Sequence, residues 1–390
     1  MRYFIHTYGC QMNSHESEKI VSQFNAAGFV MADKQETADI IVFNTCCIRN
    51  TAEQKIISHI GDTKHLGKNV IVCVVGCLSQ RDAGKLKDKF QHIKVILGTH
   101  NIGKLLESVM RFVQEQKSIV EVIEQREEVE VDWSAEQTDK RFDIDVSAIK
   151  QREVEGRIVK YVNITYGCEN YCSYCIVPYV RGKLISRDSA IVEKEFRRVA
   201  KDGTLVYLLG QNVNSYVCPK TGIGFAELVD KLCQIEGEYL VNFMSSHPKD
   251  FSEELVRVIA RNERVERNIH LPVQSGCDRI LKLMNRGYTT AEYKAKIDFL
   301  RKSISYVRIT TDIICGFPTE TEEEHRETYR FMQEIGFNSA FIFPYSKRTG
   351  TVADKMDGQI DSKTKKRRTT ELVKLMREMT TGANKNKGAK

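Results

Sequence analysis

The chain has 390 residues, a net charge of +7 and a hydrophobic fraction of 41%, which is enough for two or three domains with cores of their own. Its first residues lack the basic and apolar segments of a secretory signal, and its apolar runs are too short to span a bilayer. The sequence therefore predicts a cytoplasmic protein with no membrane segment. Twelve cysteines in a chain of this length predict metal ligands and buried thiols rather than disulfide bonds.

The positive charge is concentrated at the carboxyl-terminal end. Residues 362–390 contain ten Lys and Arg against two Glu, a net charge of +8, so residues 1–361 together sum to −1 within the total of +7. Such a run is either a solvated surface or a contact for the phosphates of a nucleic acid. Charge alone leaves both interpretations open.

Residues 1–117 alternate short apolar segments with amphipathic ones. The segments RYFIHTYG, DIIVFNT, NVIVCVV and IKVILGT are typical of strands, whereas SEKIVSQFNAAG and GKLLESVMRFVQEQ have the period of a helix. Regular alternation of this kind predicts a doubly wound parallel sheet, in which binding sites lie at the carboxyl ends of the strands.

Three of these predicted strands end in a cysteine. Cys10 lies in TYGCQMN, Cys46 in NTCCIR and Cys77 in VGCLSQ. Cysteine is commonly a buried core residue, but three at the same topological position predict one shared site. Spacing alone does not decide between Cys46 and the adjacent Cys47.

Residues 118–153 are dense in charge and have no sustained period, which predicts a linker between domains. From residue 154 the alternation resumes and gives about six βα units, too few for a closed eight-stranded barrel. The remaining cysteines, Cys73, Cys218, Cys233, Cys277 and Cys315, match no ligand pattern and are predicted to be structural thiols.

The segment NITYGCENYCSYCIVPYVRGKLISR holds three more cysteines, Cys168, Cys172 and Cys175, in the spacing C-x3-C-x2-C. Three thiolates on short loops can converge on one iron–sulfur cluster and leave one of its irons open. A closed zinc site would need a fourth ligand nearby, and none follows at the expected distance.

This segment resembles the signature of radical S-adenosylmethionine (SAM) enzymes, and YGCENYCSYCIVPYVRG is most similar to MiaB-type tRNA methylthiotransferases. TYGCQMNSHESE, NTCCIRNTAEQK and VGCLSQ resemble the three auxiliary-cluster motifs of that family, which place the second ligand at Cys46. GCQMN also separates the chain from the branch that modifies a ribosomal protein, which usually has a GCPKN-like sequence, and from the branch acting on threonylcarbamoyl-adenosine, which tends toward GCKVN.

The resemblance implies a fold and a set of cofactors. Residues 1–117 would be the methylthiotransferase amino-terminal domain, 154–384 the radical SAM core with an open partial (β/α)6 barrel, and 385–390 a basic tail. Two 4Fe–4S clusters would be held by Cys10, Cys46 and Cys77 and by Cys168, Cys172 and Cys175. SAM would be bound by residues near the second cluster and at the carboxyl ends of the strands: Tyr174, Arg187, Gln211, Asn212, Ser245 and Gln274.

The resemblance also implies the reaction, in which C2 of N6-isopentenyladenosine at position 37 of tRNA receives a methylthio group. Two alternative substrates keep that chemistry: threonylcarbamoyl-adenosine of tRNA and a ribosomal protein. A third alternative is a non-catalytic, metal-containing RNA-binding protein. Expected partners are the tRNA anticodon stem-loop and an electron donor such as flavodoxin or ferredoxin, and the chain is expected to be a monomer.

Two departures from the family pattern stand out. The family usually shows GFPGET where this chain has GFPTET, so Thr319 replaces a glycine and alters the backbone preference of that loop. Family members also end in a small tRNA-gripping β-barrel, the TRAM domain, which is expected to be absent because the sequence stops after one amphipathic helix.

Overall fold

The computed structural model describes residues 1–47, 50–123 and 152–387, with residues 50–52 and 382–387 described by their backbone alone. The chain divides into two compact units, one formed by Met1–Glu153 with Val177–Lys183 and the other by Val154–Ile176 with Leu184–Lys390. Most of the predicted linker and the end of the basic tail lie outside the described residues. Within the described part, no helix is both long and apolar enough to cross a membrane.

The first unit is built on a six-stranded parallel sheet in the order β2-β1-β3-β4-β5-β6. Its strands are β1 (Arg2–Thr7), β2 (Val30–Met31), β3 (Ile40–Thr45), β4 (Ile71–Gly76), β5 (Ile93–Leu97) and β6 (Ile119–Glu121). Its helices are α1 (Gln11–Ala26), α2 (Asn50–Asp62), α3 (Cys77–Lys89), α4 (Leu105–Glu115) and the short α5 (Val177–Arg181).

Helices cover both faces of this sheet, which confirms the predicted doubly wound fold. Side chains alternate along a strand, so Ile40 and Val42 of β3 pack in one core with residues of α1 and α4. Ile41 and Phe43 pack in a second core with residues of α2 and α3. Burial on both faces explains why the central strands read as continuous apolar runs.

The structure extends this unit beyond the predicted boundary at residue 117. The strand β6 lies in the segment predicted as a linker, and its Ile119 is paired with Val95 of β5. A strand of three residues is too short to show a period in the sequence. The segment 177–183, predicted to belong to the radical SAM core, is also part of the first unit.

The second unit contains six parallel strands arranged in series. The order β8-β11-β12 continues through a bridge between Val241 and Val265 to β13-β14-β15. The strands of this part of the chain are β7 (Glu153–Val154), β8 (Arg157–Asn163), β9 (Thr165–Tyr166), β10 (Ile185–Ser186), β11 (Thr204–Leu209), β12 (Tyr239–Phe243), β13 (Asn268–His270), β14 (Arg308–Cys315) and β15 (Ser339–Pro344).

Helices follow these strands and cover the outside of the unit, as a partial (β/α)6 barrel requires. They are α6 (Ser189–Val199), α7 (Phe225–Cys233), α8 (Glu253–Arg261), α9 (Asp278–Leu283), α10 (Thr290–Ser303), α11 (Glu322–Ile335) and α12 (Ser362–Lys387). In the described residues no strand pairing joins β15 back to β8, so the barrel is open. Because all six strands are parallel, their carboxyl ends share one edge, where the predicted cofactor residues lie.

Candidate metal centres and cofactor site

The first cysteine trio lies at the carboxyl ends of three neighbouring strands of the first unit. Cys10 precedes the first turn of α1, Cys46 follows β3, and Cys77 opens α3 directly after β4. In the order 2-1-3-4-5 the direction of winding changes between β1 and β3, and such a switch point is the usual ligand site of this fold. The topology therefore brings all three motifs to one edge.

A close backbone approach joins the first two of these loops. Gly9 has a φ of +107°, a conformation that glycine adopts readily and other residues do not. A Cβ atom at Gly9 would lie 2.7 Å from Cys46 Sγ. Only a glycine lets the loop carrying Cys10 pack against the Cys46 side chain in this way.

The neighbouring Cys47 interacts with the third cysteine. The Cys47 thiol hydrogen-bonds to the Cys77 sulfur, and this bond together with burial raises the pKa of Cys47 well above its usual range. The same hydrogen bond, assisted by the nearby Arg181 guanidinium, lowers the pKa of Cys77 to about 6 although burial opposes the change. The lowered pKa favours the thiolate form of Cys77, which is the form that binds iron and other soft metals.

Asn13 connects the loops around this site. Its side-chain amide donates to the carbonyl oxygens of Tyr8, at 2.7 Å, and Thr45, at 2.9 Å. Its amide oxygen accepts from Arg181 at 2.9 Å. Asn13 is 1% exposed, so these bonds are shielded from water and link the ends of β1 and β3 to the short helix α5.

The second trio lies in the loop between β9 and α5. Cys172 is buried, and Cys168 and Cys175 are partly exposed. Burial raises the pKa of Cys168. The loop is held by the segment 283–286, since Asn285 donates to the carbonyl oxygens of Asn170 and Tyr171, each at 3.1 Å.

Two basic side chains contact Cys172. The Arg286 guanidinium donates to Cys172 Sγ at 3.3 Å and to the hydroxyl oxygen of Tyr174 at 3.3 Å. His247 Nε2 lies 3.8 Å from Cys172 Sγ, while its Nδ1 accepts from the backbone N–H of Lys249. Burial, with Arg286 and Lys249 nearby, lowers the pKa of His247 to about 2, so its neutral ring carries the proton on Nε2 and donates to the sulfur.

Neither Arg181 and Arg286 nor the bridging role of Asn13 could be predicted from the sequence. The two arginines stand 104 and 114 residues from the cysteines they contact, so no local pattern could have paired them.

The six residues predicted to bind SAM all lie in the second unit, and four of them follow strands β11, β12 and β13. Gln211 Oε1 accepts from the backbone N–H of Gly167 at 2.6 Å, beside Cys168. Ser245 and Gln274 have φ values of +65° and +75°, and strained backbone of this kind is concentrated at functional sites.

Arg187 and Asn212 form hydrogen bonds with other groups of the protein. Arg187 is 1% exposed, and it donates to the Asn163 carbonyl oxygen and to Glu195, both at 2.5 Å. Asn212 donates to Asp250 at 2.6 Å. These bonds position the strand ends, and direct contact of either residue with SAM stays a prediction.

Several buried polar atoms near this edge lack a hydrogen-bond partner in the described structure. They are Asn170 Nδ2, Asn212 Oδ1, Asn214 Nδ2 and Ser246 Oγ. Buried polar atoms are almost always paired, so their presence fits a site that receives a polar ligand.

Within the described residues, no group of three or more His, Cys, Asp or Glu side chains is arranged as a metal site. The assignment of the six cysteines as ligands therefore stays a prediction. The soft sulfur donors, the lowered pKa of Cys77 and the close approach of Gly9 to Cys46 nonetheless fit iron–sulfur clusters.

Two family models match the chain. Residues 2–98 match the uncharacterized protein family UPF0004, and residues 162–332 match the radical SAM superfamily.

Curated relatives match nearly the whole chain. The tRNA-2-methylthio-N(6)-dimethylallyladenosine synthase of Natranaerobius thermophilus is 38% identical over 99% of this chain and 83% of its own length. The synthase of the same name from Clostridium tetani is 41% identical over 98% of this chain and 82% of its own length.

Among solved structures, the chain is similar to the radical S-adenosylmethionine methyltransferase TsrM from Kitasatospora setae. The TM-score is 0.60 at 13% identity, covering 90% of this chain and 76% of that one. The cobalamin-dependent SAM radical enzyme OxsB gives a TM-score of 0.56 at 12% identity, covering 90% of this chain and 54% of that one. At such identity these likenesses support the α/β radical SAM fold alone. The sequence matches go further: this chain belongs to the tRNA-2-methylthio-N(6)-dimethylallyladenosine synthase family of radical SAM enzymes, whose cofactors are SAM and 4Fe–4S clusters.

Proposed function

We propose that this protein is a tRNA methylthiotransferase that places a methylthio group on C2 of N6-isopentenyladenosine at position 37. The observation that carries the proposal is the similarity, over 98–99% of this chain and 82–83% of the relatives, to synthases named for this product, at 38–41% identity. The two cysteine trios at the carboxyl edges of the two units support it.

Cys10, Cys46 and Cys77 would hold the auxiliary cluster, and Cys168, Cys172 and Cys175 would hold the cluster that binds SAM. When bound, the clusters and SAM supply the radical that removes the C2 hydrogen and the methylthio group that replaces it. The C2–H bond of adenine is too weak an acid for a protein base to deprotonate, and the site accordingly needs no general base.

The protein's own residues would bind and orient the cofactor and the substrate and would exclude water from the site. Arg286 and the neutral His247 both donate toward Cys172, which holds that sulfur and its loop in place. Gln211 fixes the backbone at Gly167, next to Cys168. The unpaired polar atoms of Asn212 and Ser246 are available to polar groups of SAM.

The tRNA partner would present its adenosine from the anticodon loop. That base lies in a single-stranded loop, where it can be turned out and stacked at low cost. Lys363, Lys366 and Lys374 on α12 are exposed and could contact phosphates. A flavodoxin or ferredoxin would deliver the electron that cleaves SAM, and the enzyme would work as a cytoplasmic monomer.

The test is anaerobic reconstitution followed by an assay with an isopentenylated anticodon stem-loop. Two clusters correspond to about eight irons per chain, and product analysis by mass spectrometry should show 5′-deoxyadenosine and the 2-methylthio nucleoside. Cys168→Ala should abolish both products. Cys233→Ala, a matched control within the buried core of α7, should retain them.

Other results would redirect the proposal. Methylthiolation of a threonylcarbamoyl-adenosine stem-loop or of a ribosomal protein, without reaction of the isopentenylated substrate, would keep the chemistry and replace the substrate. Stoichiometric zinc without SAM cleavage under reduction would indicate a non-catalytic RNA-binding protein. Iron that stays near four per chain would reject the two-cluster arrangement.

A further inference from the structure

The short helix α5 brings an arginine into the first unit beside the auxiliary cysteines. Arg181 is 4% exposed, and its Nε donates to Cys77 Sγ at 3.3 Å. A second guanidinium nitrogen donates to Asn13 Oδ1 at 2.9 Å. One planar side chain thus contacts both a predicted cluster ligand and the residue that links the strand ends.

The position of α5 is fixed independently of Arg181. Thr99 Oγ1, at the end of β5, donates to the carbonyl oxygen of Val180 at 2.6 Å. Thr99 is itself held through its backbone N–H, which donates to Gln80 Oε1 of α3 at 3.0 Å. The helix therefore remains anchored to the sheet if the Arg181 side chain is changed. The contacts with Cys77 and Asn13 hold the Arg181 guanidinium in one orientation.

Burying a guanidinium costs free energy unless its charge is paired or hydrogen-bonded. Two of the Arg181 hydrogen bonds go to the neutral amide oxygen of Asn13 and to the Cys77 sulfur, which would carry a negative charge as a cluster ligand. Bonds of this kind, in which both partners are charged, are among the strongest in proteins. Of these two acceptors, the Cys77 sulfur is the one that would attract the positive charge of Arg181.

We propose that Arg181 is a positioning residue that tunes the auxiliary cluster, by donating a hydrogen bond to the Cys77 ligand sulfur and placing a positive charge beside it. This inference rests on the proposed function, because it requires a cluster on Cys10, Cys46 and Cys77. Hydrogen bonds to ligand sulfurs and nearby positive charge both stabilise the more negative, reduced state of a cluster. Arg181 therefore raises the reduction potential of the auxiliary cluster.

The experiment isolates that cluster in the full-length chain. Cys168, Cys172 and Cys175 are all replaced by alanine, so that reconstituted iron reports the auxiliary site alone. In this parent, Arg181→Met removes charge and donor, and Arg181→Lys keeps the charge but loses the planar arrangement of donors. Arg111→Gln is the matched control, since Arg111 pairs with Glu121 on the surface of the same unit.

Potentials are measured by redox titration followed by electron paramagnetic resonance. Arg181→Met should shift the midpoint to a more negative value, Arg181→Lys should shift it less, and Arg111→Gln should leave it unchanged. Pulsed resonance after exchange into deuterated water should show an exchangeable proton near the cluster of the parent, with a weaker coupling in Arg181→Met. A merely structural arginine would not produce this ordered set of shifts.

The possible outcomes distinguish a failure of the proposed auxiliary site from a failure of the tuning role of Arg181. A parent that takes up no iron would overturn both the proposed auxiliary site and this inference. A parent with its cluster and an unshifted potential in Arg181→Met would overturn the tuning role alone. Loss of iron from both Arg181 variants would show that the arginine is a scaffold residue and would likewise overturn tuning.

Discussion

Replacing Asn13 with alanine should loosen the whole edge of the sheet that carries the first cysteine trio. Three hydrogen bonds depend on this buried side chain, two to the carbonyl oxygens of Tyr8 and Thr45 and one from Arg181. A neutral buried bond contributes about 1 kcal/mol and one to a charged group about 1.5–3 kcal/mol. The expected loss is therefore about 4 kcal/mol, part of it from the carbonyl oxygens left without donors.

The assay is hydrogen exchange read by mass spectrometry, because a chain with two units does not unfold in one step and a single denaturation curve would blend them. Peptides covering residues 8–17 and 40–47 should exchange faster in Asn13→Ala, with the opening free energy lowered by about 4 kcal/mol, or by the full local stability if that is smaller. Asn25→Ala is the matched control on α1, since Asn25 accepts one hydrogen bond, from the Tyr3 hydroxyl at 2.7 Å. Equal effects of the two variants would refute the view that Asn13 joins the strand ends.

Three further predictions concern the second unit. Arg286→Met should lower 5′-deoxyadenosine formation at least about tenfold, since the lost bond to the Cys172 sulfur is of the charged kind, worth about 1.5–3 kcal/mol, and enzyme with wild-type turnover would contradict this. Thr319→Gly should be more stable than Thr319→Ala by about 1 kcal/mol, because φ is +66° at this position and alanine tolerates that conformation poorly; hydrogen exchange of peptides covering residues 316–322 in the two variants decides it. Burial lowers the pKa of His325 despite its hydrogen bond to Glu371, so the unfolded state takes up the proton first. The stability of α11 should therefore be complete above pH about 6.5 and fall as the pH drops below it. His325→Gln should flatten that slope when the opening free energy of peptides covering residues 322–335 is measured by hydrogen exchange between pH 7 and 5.

The sequence predicted the strands that are apolar along their whole length, because burial on both faces leaves an unbroken hydrophobic run. It placed Cys10, Cys46 and Cys77 correctly at strand ends, and parallel topology then brought those ends to one edge. It also indicated an unusual backbone at Thr319, and the structure shows the left-handed conformation there. Each of these follows from information within a few residues.

What the sequence did not predict depends on contacts between distant segments. The strand β6 becomes one only because β5 offers it an open edge, and its composition resembles that of a linker. The segment 177–183 follows the second cysteine trio directly and carries no sign that it belongs to the first unit. Arg181 could be recognised only after Cys77 and Asn13 were placed beside it.

The basic carboxyl-terminal helix shows why a count of charges differs from the charge available to a partner. Arg368 of α12 is 4% exposed, and it donates to Glu320 Oε2 at 2.8 Å. Arg367 pairs with Glu322 at 2.6 Å, and Lys365 donates to the carbonyl oxygen of Tyr345 at 3.2 Å. These side chains attach the helix to the barrel, so contact with tRNA phosphates would depend on the exposed lysines of the helix rather than on its whole charge.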